Sequence, residues 1–116
     1  MANMSAVKQY CQISGWILAI IGLVGFFLTD LFGLIRFDTG HNVLHIVLAA
    51  ISLWLGYKGA EAVMLGWTKT IGVVYLLLGV LGFFVMSLGP IGLEPTENVL
   101  HIILGAWGIW AGFFSK

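Results

Sequence analysis

Two histidines are the residues of this chain best suited to chemistry. His45 lies in Asn42-Val43-Leu44-His45-Ile46-Val47-Leu48 and His101 in Asn98-Val99-Leu100-His101-Ile102-Ile103-Leu104. Each is embedded in an apolar run, about one helical turn from its start, with an asparagine three residues earlier on the same helical face. A polar ring in such surroundings is costly unless it faces an interior and finds a partner. The simplest reading is structural: Asn42 and Asn98 pair with the imidazoles, within a helix or across two, and fix helix register. Three chemical readings stand beside it. Two imidazoles at matching depth on facing helices can ligate a haem iron axially. Each can instead ligate the magnesium of a separate chlorophyll-type pigment. Third, His41, His45, Glu97 and His101 place ligands four residues apart on two helices, a donor set suited to zinc or another transition metal. Against that third reading, His41 and Glu97 sit at helix starts within reach of solvent, and nothing reads as a supporting shell of hydrogen bonds.

Other reaction classes find no residues. Cys11 is the only cysteine, so a disulfide within the chain is excluded, and it lies far from the histidines. No serine stands in a nucleophile–base context. No glycine-rich phosphate loop follows a strand and opens a helix. Five basic and five acidic residues cancel, which removes the electrostatic case for nucleic acid. No charged residue falls in the middle third of any apolar run, where an ion or proton pathway needs one. No catalytic activity is expected.

The elements that must position the histidines follow from composition. The chain has 116 residues, 60% apolar and 9% charged, against a usual charged share of roughly 25%. Ten charged side chains cannot coat a soluble globule of this size. Mean hydropathy is +1.06, and an integral membrane protein is expected, as a single transmembrane domain over residues 1–116. Four apolar runs stand out, at about residues 13–29, 42–57, 70–87 and 97–114. Each is near the lower limit of about 17 residues for a span. The runs are continuously apolar instead of alternating, which favours helices over a barrel. The first run lacks a small-x-small cleavage pattern and reads as a retained span.

Lys8, Lys58, Lys69 and Lys116 fall on the side that holds both termini and the middle loop, and Arg36 alone on the other. Both termini are therefore expected in the cytoplasm. Tyr10, Trp16, Trp54, Tyr57, Trp67 and Trp110 cluster near that boundary, as amphipathic rings do.

The chain also repeats itself. The histidine heptapeptides are offset by 56, and their match continues through Trp54 and Trp110 to Gly56 and Gly112. Upstream, Ile20-Ile21-Gly22-Leu23-Val24-Gly25-Phe26-Phe27 parallels Leu77-Leu78-Gly79-Val80-Leu81-Gly82-Phe83-Phe84 at an offset of 57. The one-residue shift falls in the outer loop. Repeats of two spans each insert with the same orientation, which predicts an axis along the membrane normal. The expected fold is thus all-α: an integral membrane four-helix bundle of two tandem helical hairpins, over residues 13–57 and 70–114. Gly22, Gly25, Gly79 and Gly82 lie near the level of the histidines, where they leave room for a macrocycle or close the helix gap. Ser52-x-x-x-Gly56 and Gly108-x-x-x-Gly112 are small-x-x-x-small pairs for close helix packing. Asp38 and Glu94 precede helices two and four, with Pro95 and Glu97 in the first turn of the latter.

The Asn-x-x-His motif with a small residue downstream (Asn42, His45, Ala49; Asn98, His101, Gly105) and the stretch Gly72-Val73-Val74-Tyr75-Leu76-Leu77-Leu78-Gly79 resemble the bacterial family called domain of unknown function 4383. The resemblance implies a small bacterial four-span membrane protein, and a bacterial inner or photosynthetic membrane is the expected location. That family's activity is unassigned, so it carries over no catalytic residue. The expected role is a structural or accessory subunit packing laterally, in the lipid bilayer, against other membrane subunits or copies of itself. The competing expectation is a haem- or chlorophyll-binding subunit for electron transfer or light harvesting, using His45 and His101.

Overall fold

Long apolar runs with few helix breakers form helices, and the chain folds into four. The computed structural model describes residues 3–27, 30–31, 35–36, 39–84, 87–88, 91–92 and 95–115, without the side chains at 30–31, 35–36, 39, 41, 87–88, 91–92 and 95–97. Helix α1 spans Met4–Phe27, α2 Thr39–Lys58, α3 Glu61–Leu81 and α4 Pro95–Ile109, which runs on into a π-helical turn at Trp110–Phe114. Between α1 and α2, β1 (Asp30–Leu31) pairs antiparallel with β2 (Ile35–Arg36). Between α3 and α4, β3 (Ser87–Leu88) pairs likewise with β4 (Ile91–Gly92). Three residues separate β1 from β2 and two separate β3 from β4, so the one-residue shift in the sequence repeat falls between the paired strands.

The helix ends are chemically marked. The Asn3 side-chain oxygen accepts a hydrogen bond from the Ser5 amide at 2.9 Å, capping α1. Glu61 opens α3 and Lys58 closes α2, each with the sign that suits its helix end. Pro95 occupies the first position of α4, where its missing N–H leaves no partner unsatisfied.

Helices α1 and α3 each start nine residues before the apolar runs that announced them. Their first turns are amphipathic, so an apolar window passes over them. One face is nevertheless fully used: Val7, Tyr10 and Cys11 of α1, with Met64 and Thr68 of α3, are all buried. The two faces meet where Cys11 Sγ lies 3.2 Å from Thr68 Oγ1. Helix α3 stops six residues earlier than its run, because the chain turns at Gly82–Phe84 through backbone bonds to Leu78, Val80 and Leu81.

Glycines set the packing within each hairpin. A Cβ at Gly15 would lie 2.9 Å from the Leu53 side chain, and one at Gly22 2.7 Å from Ile46. In the second hairpin the approach is backbone to backbone. A Cβ at Gly72 would lie 2.8 Å from the Ile109 nitrogen, and one at Gly108 2.9 Å from the Gly72 Cα. Contact this close is available only where both partners lack a side chain.

Polar bonds join one hairpin to the other. Tyr10 donates its hydroxyl hydrogen to the Leu104 carbonyl at 2.9 Å and meets Trp107 edge-to-face, ring centroids 4.9 Å apart. Trp67 Nε1 donates to Ser52 Oγ at 2.9 Å. The Asn3 amide donates to the carbonyl and hydroxyl oxygens of Ser115, tying the start of α1 to the end of the fourth helix. Gly59 and Ala60 alone connect α2 to α3.

Polarity runs opposite to that of a soluble core. Ser14, Asn42, His45, Ser52, Thr68, Asn98 and His101 are buried, while Trp16, Ile20, Phe27, Trp54, Leu77, Phe84 and Ile103 are more than half exposed. Met4–Phe27 and Glu61–Leu81 are each long and apolar enough to cross a membrane; the apolar stretches Asn42–Lys58 and Asn98–Phe114 are shorter.

Candidate buried site at the histidine level

His45 and His101 open onto one shared space. Both are buried, at 4% and 3% exposure, and both line a cavity of about 150 Å³ among α2, α3 and α4. Leu44 and Leu48 accompany His45 on α2, while Ile71, Val74, Tyr75 and Leu78 of α3 complete the wall. The heptad-like spacing along α3 puts Ile71, Tyr75 and Leu78 on one face, one and two turns apart.

Tyr75 is the residue that motif reading missed. Its ring stacks on that of His101, with centroids 5.6 Å apart and planes inclined by 7°. Its hydroxyl is buried and has no hydrogen-bond partner among the described residues. One signal for it stood in the sequence match at an offset of 57, which sets Tyr75 against Leu18, a phenol against an aliphatic core residue.

The predicted site residues distribute as follows. Asn42 and Asn98 are buried one turn before their histidines. The side chains of His41 and Glu97, and all of Asp38 and Glu94, lie outside the described residues. Among the described residues no group of three or more His, Cys, Asp or Glu is placed to hold a metal ion. Gly22 and Gly79 face Ile46 and Ile102 respectively, and Gly82 faces the Asn98 side chain. These glycines therefore close the helix–helix gaps, and Gly25 is buried within α1. Ser52 accepts from Trp67, Gly56 lies against Gln12, and Gly112 lies against Lys69. These small residues are thus spent on contacts inside the chain, whereas Gly66 has open space around it.

The volume decides what the cavity holds. At about 150 Å³ it matches cavities that admit one benzene ring and is half the smallest usual pocket for a drug-sized ligand, about 300 Å³. A porphyrin or chlorin macrocycle is larger still, so axial ligation by His45 and His101 requires the helices to part.

A family model described as "Domain of unknown function (DUF4383)" matches residues 8–114. No curated protein and no solved structure matches the chain.

Proposed function

The chain belongs to the DUF4383 family, and from that premise we propose a four-span membrane protein of two similar hairpins, an accessory subunit that packs laterally against partner membrane proteins without catalysis of its own. The observation that carries the reading is the inverted polarity: amides, hydroxyls and imidazoles inside, large apolar side chains outside. In water such a surface would drive aggregation, whereas in lipid it is the solvated state. Exposed Lys8 and Lys58 and half-buried Lys69 give the basic asymmetry that orients both termini to the cytoplasm. At the same end Trp16 Nε1 donates to the Tyr57 hydroxyl at 3.1 Å on the outer surface, the setting of an interfacial aromatic belt.

Matching contacts support the pairing of hairpins about an axis along the membrane normal. Gly15 with Leu53 corresponds to Gly72 with Ile109, Gly22 with Ile46 to Gly79 with Ile102, and Gly56 with Gln12 to Gly112 with Lys69. Cys11 touches Thr68, its own counterpart at the offset of 57, as residues beside a two-fold axis do.

The partner-facing surface in this proposal is the open apolar groove of about 830 Å³ between α2 and α3, lined by Ala50, Ile51, Trp54, Val63, Gly66 and Thr70 among others. Its counterpart between α1 and α4 has Trp107 where the groove has Ile51, and Gln9 where it has Gly66. Fusion reporters at both termini and after Gly59 are expected to read cytoplasmic. A photoreactive side chain at Gly66, activated in native membranes, is expected to yield protein adducts, whereas one at Ile20 yields lipid adducts. Reporters on opposite faces refute the topology; lipid adducts alone at Gly66 refute the accessory role.

A further inference from the structure

We propose that the cavity bounded by His45, Tyr75 and His101 is a binding site for a ring-sized, lipid-soluble carbonyl compound of the quinone class. Four observations converge on it. The space, about 150 Å³, admits a single six-membered ring. Apart from His45 and the Tyr75 and His101 rings, which stack on one another, its lining is aliphatic, which suits an apolar guest. The buried Tyr75 hydroxyl has no partner among the described residues, and a buried O–H left so is costly. A guest carbonyl that accepts from this O–H satisfies it; a hydrocarbon guest does not.

The fourth observation concerns entry. Val74 lines the cavity and is 41% exposed on the outer surface of α3. The Val74 residue thus borders both the site and the surroundings of the bundle. In the four-span reading, on which this step rests, those surroundings are hydrocarbon, and a guest reaches the site by partitioning from lipid. The chemical class follows: apolar enough to dissolve in the bilayer, one ring in size, and bearing an acceptor oxygen.

The test uses the full-length protein carrying Cys11→Ala in lipid nanodiscs, with p-benzoquinone and the hydrocarbon of the same shape and heavy-atom count, p-xylene, as probes. Cys11→Ala removes the thiol that would add to the quinone. Saturable binding of p-benzoquinone at one site per chain is expected, weakened roughly fivefold to tenfold by Tyr75→Phe, the consequence of one lost hydrogen bond. p-Xylene is expected to bind more weakly and to ignore that substitution. Leu48→Phe, which adds bulk from the wall of the cavity, is expected to abolish both. Equal affinity for the two probes, an unchanged p-benzoquinone affinity in Tyr75→Phe, or no saturable binding to a folded protein would each overturn the proposal. The reporter fusions on the termini address the four-span reading separately, so failure of either leaves the other measurable.

Discussion

The same substitution at two glycines of α3 is expected to change stability in opposite directions. At Gly72 an added methyl group would lie 2.8 Å from the Ile109 nitrogen, 2.9 Å from the Gly108 carbonyl carbon and 3.1 Å from the Gly108 Cα, where ordinary contact begins near 3.4 Å. All three neighbours are backbone atoms of the fourth helix, so no rotamer change can make room and the two helices must separate. Overpacking of this kind costs about 1–3 kcal/mol, offset by the roughly 1 kcal/mol that alanine gains over glycine within a helix. Gly72→Ala is therefore expected to be destabilising, by up to roughly 2 kcal/mol. Gly66, two turns nearer the start of the same helix, has no atom within 4 Å of a built Cβ. There only the helix term acts, and Gly66→Ala is expected to gain about 0.5–1 kcal/mol. Reversible unfolding in mixed micelles, followed by far-ultraviolet circular dichroism, measures both. If Gly72→Ala unfolds at or above the wild-type denaturant midpoint, the close α3–α4 approach is not present and the argument fails. If Gly66→Ala is the more damaging of the two, the groove beside it is filled by this chain.

Two further outcomes follow from the architecture. The gently solubilised protein is expected to show neither a Soret band nor a long-wavelength pigment band, because the cavity that His45 and His101 line is about 150 Å³; a Soret band lost on His45→Ala or His101→Ala would establish the haem reading instead. Asn3 bonds to Ser115 at the position where, in the other half, Gly59 joins Ala60. A circular permutant with the old ends linked and new ends between Gly59 and Ala60 is accordingly expected to keep the helical content and unfolding midpoint of the parent within about 1 kcal/mol. Collapse of its helicity would refute the equivalence of the two junctions.

Some of the bundle is legible one residue at a time. The helix start at Pro95 follows from capping chemistry, and the buried positions of Asn42, His45, Asn98 and His101 follow from the cost of polar groups in an apolar run. The first turns of α1 and α3 are not legible in that way. Their apolar content is spread over one face, and what makes them helical is the contact between Val7, Cys11, Met64 and Thr68, residues far apart in the chain. The small residues are ambiguous for a similar reason. A glycine stripe permits close approach without naming the partner, and Gly72 could have faced a neighbouring protein as readily as Gly108.

Composition and repetition alone determine that the chain is helical, that its histidines recur at equivalent places, and that few charges are available to face water, because those properties depend on residue type and local spacing. Tertiary structure alone decides which faces meet. It turns His45 and His101 onto one small cavity, adds Tyr75 to it, and closes the glycine gaps that a macrocycle would need. Those outcomes depend on helix rotation and separation, which are set by contacts between opposite hairpins, such as the Tyr10 hydroxyl with the Leu104 carbonyl and Trp67 with Ser52, and no local pattern encodes them.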